Sequence, residues 1–144
     1  MEFNEIVKDL DNSAKIEELI YNATQEAMEF DPYQFEFYDE ENNFVFKDAI
    51  EKLIKEDEGL NALPQEQKDL IETLLTRKME YSIRRSYEAK EAATSGSYND
   101  EYQEYYGGQD GAFGHLYERY LDELNYRKPI EEFYDEYLEE QKTR

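Results

Sequence analysis

The stretch Pro64–Ala93, PQEQKDLIETLLTRKMEYSIRRSYEAKEAA, decides the fold. Pro64 stands at a first helical position, where a missing N–H costs nothing, and no Gly or Pro follows until Gly96. Leu70, Ile71, Leu74, Leu75, Met79, Ile83 and Tyr87 recur at steps of three and four, an apolar stripe along one helical face. A continuous helix here is roughly 45 Å long, enough to span a small domain. The rest of the chain has to pack around it.

The same stretch is electrically unlike its surroundings. Residues 64–97 hold six acids and six bases, whereas residues 1–63 carry eighteen acids against five bases and residues 98–140 carry thirteen against three. The net charge is −21 over 144 residues. A neutral spine lies between two anionic wings.

Outward from the spine, helical spacing recurs. Phe3, Ile6, Val7 and Leu10 share one face, and Asp11-Asn12-Ser13 is a break and recap before a second helix carrying Ile16, Leu19, Ile20, Ala23, Ala27 and Met28. Residues 34–46 change period: Phe35-Glu36-Phe37 and Phe44-Val45-Phe46 flank Asp39-Glu40-Glu41-Asn42-Asn43, which favours a small β-hairpin. A helix capped by Asp31 and starting at Pro32 is the competing reading. Asp48–Glu58 reads as helix with Gly59 as its stop. Tyr98, Tyr102, Tyr105 and Tyr106 follow at helical spacing, and four of the six glycines then fall in Gly107–Gly114, which predicts a mobile loop. His115–Arg127 and a final helix restarted by Pro129 complete the chain. The expectation is one mainly α domain over residues 1–144, compact around the long central helix.

Composition excludes several functions. Without Cys there are no disulfides, thiolate metal sites or Cys nucleophiles. The lone His115 has no partner motif for catalysis, so no enzyme is expected. Gly107–Gly114 offers no Lys or Arg to a phosphate. Asp39-x-Glu41-x-Asn43 opens like a calcium loop, but Phe44 and Ile50 occupy the positions of the required Gly and Glu. No cofactor or metal is expected. The N-terminus lacks the basic and apolar regions of a signal peptide, and no apolar run is long enough for a bilayer. These features imply a cytoplasmic protein. Its charge repels membranes and nucleic acid, so direct DNA binding is not expected and the fitting partner is basic. A homodimer remains open.

Three acidic clusters are candidate contacts. Glu131, Glu132, Asp135, Glu136, Glu139 and Glu140 form a carboxylate ladder on the last helix; Asp100, Glu101, Glu104 and Asp110 form a second cluster; Asp39, Glu40 and Glu41 form a third. Tyr105, Tyr106 and Tyr134 interleave with the first two and suit an interface, giving apolar area with a hydroxyl. Residue by residue, core tyrosines and a solvated acidic face are the favoured explanation, because ordinary amphipathic helices show the same pattern. The ensemble is different, because ordinary surfaces mix both signs.

In size, charge, aromatic content and the helix EEFYDEYLEEQ at 131–141, the chain resembles the phage and mobile-element proteins that mimic DNA, among them antirestriction and anti-CRISPR proteins. The resemblance implies an inhibitor that fills the basic channel of a restriction enzyme or CRISPR effector, working in the host bacterial cytoplasm. No diagnostic motif carries it, and the neutral, Arg-bearing spine departs from a uniformly acidic mimic. Arg77, Arg84 and Arg85 either pair with the wings or meet an acidic partner surface. The alternative function is an acidic adaptor or chaperone-like module that holds a basic partner without blocking its nucleic-acid site.

Overall fold

The structure is a computed structural model that describes residues 2–30, 34–94 and 128–142, with side chains through residue 88 in the middle segment. Six helices lie among the described residues: α1 (Phe3–Asp11), α2 (Ala14–Met28), α3 (Lys47–Glu56), α4 (Glu58–Asn61), α5 (Gln65–Thr94) and α6 (Ile130–Lys142). The protein is mainly α, as the periodicity predicts. The predicted loop at 107–114 and His115 fall outside the described residues.

Helix α5 is the centre. Ile71, Leu74, Leu75, Met79 and Ile83 are wholly buried, and Leu70 and Tyr87 lie half-buried at the ends of the stripe. Helices α2, α3 and α6 pack on α5, while α1 packs against α2 and α6. Ile16, Ile20, Ala23 and Ala27 come from α2, Ile50 and Ile54 from α3, Ile130 and Phe133 from α6, and Ile6, Val7 and Leu10 from α1. Together they make one apolar core.

Helix ends follow local chemistry. The Ser13 hydroxyl accepts from the Ile16 N–H at 3.4 Å and opens α2. Pro64 sits just outside α5 and offers its carbonyl to the Gln67 and Lys68 amides, one residue earlier than a first helical position. Helix α3 ends before Gly59, because Asp57 turns extended and its carboxylate caps the one-turn α4 through the Leu60 N–H at 3.0 Å. Gly59 lies within α4 and terminates nothing.

Where α2 crosses α5, small side chains meet and three buried hydroxyls find partners in each other or in backbone carbonyls. Thr24 Oγ1 donates to the Ile20 carbonyl at 2.7 Å and lies 3.0 Å from Ser82 Oγ, while Ser86 Oγ donates to the Ser82 carbonyl at 2.8 Å. The Tyr87 hydroxyl donates to the Ala27 carbonyl at 2.8 Å. A buried polar group without such a partner costs about 1–3 kcal/mol.

The 34–46 segment keeps the hairpin's turn but not its ladder. A single antiparallel bridge joins Tyr38 to Phe44, and no strand extends from it among the described residues. Phe35, Phe37, Phe44 and Phe46 instead pack on one another, with ring centroids 5.1–6.0 Å apart, and Phe35 also meets Tyr87 of α5. Aromatic packing onto the helices replaces strand pairing. Asn42 takes the left-handed φ of 66° that the tight turn needs.

Candidate functional site

The site grows from α6, which is held in place by residues far away in sequence. Its first amides point at Asp11: the Ile130 N–H donates to Oδ1 at 2.6 Å and the Glu131 N–H to Oδ2 at 3.1 Å. A carboxylate at the end of α1 therefore caps α6 and complements its positive end. From α5, Lys78 Nζ donates to the Lys128 carbonyl at 2.8 Å. Burial pushes the Lys78 ammonium below its ordinary range, opposed by Asp11, Glu17 and Glu132. Phe133 and Tyr134 complete the docking, edge-on to Tyr81 at 5.6 Å and to Phe3 at 5.0 Å.

This docking sorts the carboxylates into two rows at i, i+4 spacing. Glu132, Glu136 and Glu140 run toward α5: Glu136 pairs with Lys128 at 2.7 Å and Glu140 with Arg77 at 2.8 Å. Glu131, Asp135 and Glu139 run along the outside, and all six acids are exposed. Lys142, itself exposed, reaches Glu139 at 3.3 Å. Tyr134 is half-buried against Phe3, so much of its ring area is used inside the fold. Asp100, Glu101, Glu104, Tyr105, Tyr106 and Asp110 lie outside the described residues.

Pairing of α1 with α6 also brings the first acidic wing to the last. Residues 2–11 and 128–142 together carry ten acids against three bases. Glu5 and Asp9 on α1, and Glu2 just before it, are exposed as well. The α1 residue that sequence reasoning missed is Asp11, the cap of the first turn of α6. The spine's arginines divide their attention: Arg77 pairs with the last wing, whereas Arg84 and Arg85 pair within α5, with Glu80 and Glu88 at 2.8 Å each.

The Asp39 carboxylate accepts from the Glu41 and Asn43 amides at 2.8 and 3.0 Å, which makes it a turn residue. Among the described residues no group of three or more acids or histidines is placed to hold a metal. A groove of about 550 Å³ between α3 and α5 mixes Lys47, Lys55 and Lys68 with Glu51, Asp69 and Glu72. Partial burial, then the neighbouring Glu51, pushes the Glu72 carboxyl up. No described helix is long and apolar enough to cross a membrane. No family model matches this sequence, and no curated protein or solved structure is significantly similar to it.

Proposed function

We propose that this chain is a non-enzymatic inhibitor that occupies the basic nucleic-acid-binding surface of a bacterial defence nuclease, a CRISPR effector or restriction enzyme, as an acidic DNA mimic. One observation carries the reading: Glu131, Asp135 and Glu139 form an exposed row on a helix docked at both its start and its flank. Successive carboxylates in such a row are about 6 Å apart along the axis, comparable to the roughly 6.8 Å of axial rise over two phosphates of a DNA strand. A cationic groove that tracks a phosphate backbone meets comparable spacing here. Charge of one sign further speeds encounter with a basic target.

The test uses Glu131→Gln/Asp135→Asn/Glu139→Gln. Losing Glu131 removes a favourable helix-dipole contact, and losing the row relieves two like-charge pairs, each a few tenths of a kcal/mol, so stability changes little. Wild-type protein should capture and inhibit a member of a panel of purified CRISPR effectors and restriction enzymes, and the triple variant should not. Equal inhibition by both would remove α6 from the interface.

An acidic adaptor is the second reading, favoured by a specific feature: Glu136, Glu139 and Glu140 already have cationic partners. An adaptor would capture its partner without displacing nucleic acid.

A further inference from the structure

The groove of about 550 Å³ between α3 and α5 is lined by six charged side chains that scarcely pair with one another. Lys47 reaches Glu51 only at 3.7 Å, and the Asp69 carboxylate is taken by the Gln65 side-chain amide at 2.8 Å. Lys68 Nζ donates to the Asn61 carbonyl at 3.3 Å rather than to an acid. Lys55 and Glu72 make no side-chain hydrogen bond or ion pair among the described residues. Glu51 and Lys55 on α3, and Lys68 and Glu72 on α5, stand four residues apart, a spacing at which opposite charges commonly meet. Here they stay apart.

The topology gives the reason. The chain turns back through α4, so the last turn of α3 and the first turn of α5 share one end of the groove. Lys55 and Lys68 stand at that end, where Asn61 holds the Lys68 ammonium. Glu51 and Glu72 line the groove one turn further along, about 6 Å away. Glu72 is half-buried, and its carboxyl is pushed up by that burial and then by Glu51. Ile54, buried between Glu51 and Lys55 on α3, supplies an apolar floor. The groove is therefore cationic at one end, anionic at the other and apolar beneath.

We propose that the α3–α5 groove binds a small ω-amino carboxylate, its carboxylate between Lys55 and Lys68, its ammonium at Glu72 beside Glu51, and its methylenes over Ile54. Such a ligand brings each end the countercharge that the fold does not supply. A five-carbon chain spans about one helical turn, the separation of the two ends. Lys47 already lies near Glu51, which leaves Glu72 as the principal acceptor of the ammonium. An α-ammonium beside the ligand's carboxylate would meet the two lysines and is disfavoured. The site shares no residue with the carboxylate row of α6 and does not depend on the function proposed for that row.

An NMR titration of the full-length protein with δ-aminovalerate tests the site, with valerate, pentylamine and ornithine as controls. The first two controls each lack one charge, and ornithine is δ-aminovalerate with an added α-ammonium. δ-Aminovalerate should bind about ten-fold more tightly than any of the three, the increment of one charge-assisted hydrogen bond, and its affinity should fall as salt rises. Glu72→Gln should bring δ-aminovalerate down to the level of valerate. Lys68→Met should bring it down to the level of pentylamine, as should Lys55→Gln, an exposed position that keeps the test decisive if Lys68→Met does not fold. Valerate bound as tightly as δ-aminovalerate would mark a plain anion site and overturn the proposal. So would the absence of shifts at the groove residues, or an affinity unchanged in both Glu72→Gln and Lys55→Gln.

Discussion

Asp11→Ala is the perturbation that most directly probes how the acidic helix is held. The substitution removes two acceptors from the Ile130 and Glu131 amides and deletes the negative charge at the start of α6. Loss of an N-cap side chain costs about 1 kcal/mol, and up to ~2. Loss of the charge–dipole attraction adds about 0.3–1 kcal/mol. Lys78, whose ammonium is partly supported by Asp11, loses an opposing charge as well. The sum is about 1.3–3 kcal/mol, which for a chain of this size lowers Tm by roughly 4–10 °C. Urea unfolding measures the first quantity, and hydrogen exchange at residues 130–133 locates it. Asp11→Asn, which keeps one acceptor, should lose about half as much. Asp9→Ala on the exposed face of α1 should stay within about 0.5 kcal/mol. A loss below ~0.5 kcal/mol for Asp11→Ala, with unchanged exchange in α6, would refute the cap as the anchor of that helix.

Other perturbations follow from the same geometry. Thr24→Val leaves Ser82 Oγ without its side-chain partner and should cost about 1–2 kcal/mol in urea unfolding, with Thr24→Val/Ser82→Ala recovering part of it. Leu75→Ala, in the wholly buried centre of α5, should cost about 2–5 kcal/mol. Glu72→Gln tests the raised carboxyl pKa. A carboxyl that holds its proton more tightly when folded stabilises below its ordinary value of 4.5 and loses that contribution as pH rises through the higher folded value. Glu72→Gln should therefore gain in Tm relative to wild type at neutral pH, and the gain should vanish in acid. Arg77→Ala removes both the Glu140 pair and the stacking on Tyr137, and should speed exchange in the last turns of α6 while leaving α2 unaffected.

The central helix was legible because burial enforces a 3.6-residue period: the stripe from Ile71 to Ile83 is the buried face. Ser13 was legible as a cap because its chemistry is local, acting three residues away. Asp11 shows the opposite. In sequence it belongs to the break before α2, but its carboxylate acts on amides 119 and 120 residues further on. Nothing in local spacing encodes that contact. Nor could sequence divide the six carboxylates of α6 between an outer row and a row facing Lys128 and Arg77. The 34–46 segment was half legible. Its turn chemistry at Asp39–Asn43 was correct, but alternating Phe residues satisfy aromatic packing on a helix as well as pairing in a sheet.

The measurement closest to the central claim is displacement of fluorescent duplex DNA from purified CRISPR effectors and restriction enzymes, titrated with this protein over a salt series. On the nuclease that is the target, the DNA should be released stoichiometrically. Release should weaken steeply with salt, and the Glu131→Gln/Asp135→Asn/Glu139→Gln variant should fail to cause it. A nuclease that binds this protein while keeping its DNA, in a complex indifferent to salt, would contradict mimicry and leave the adaptor.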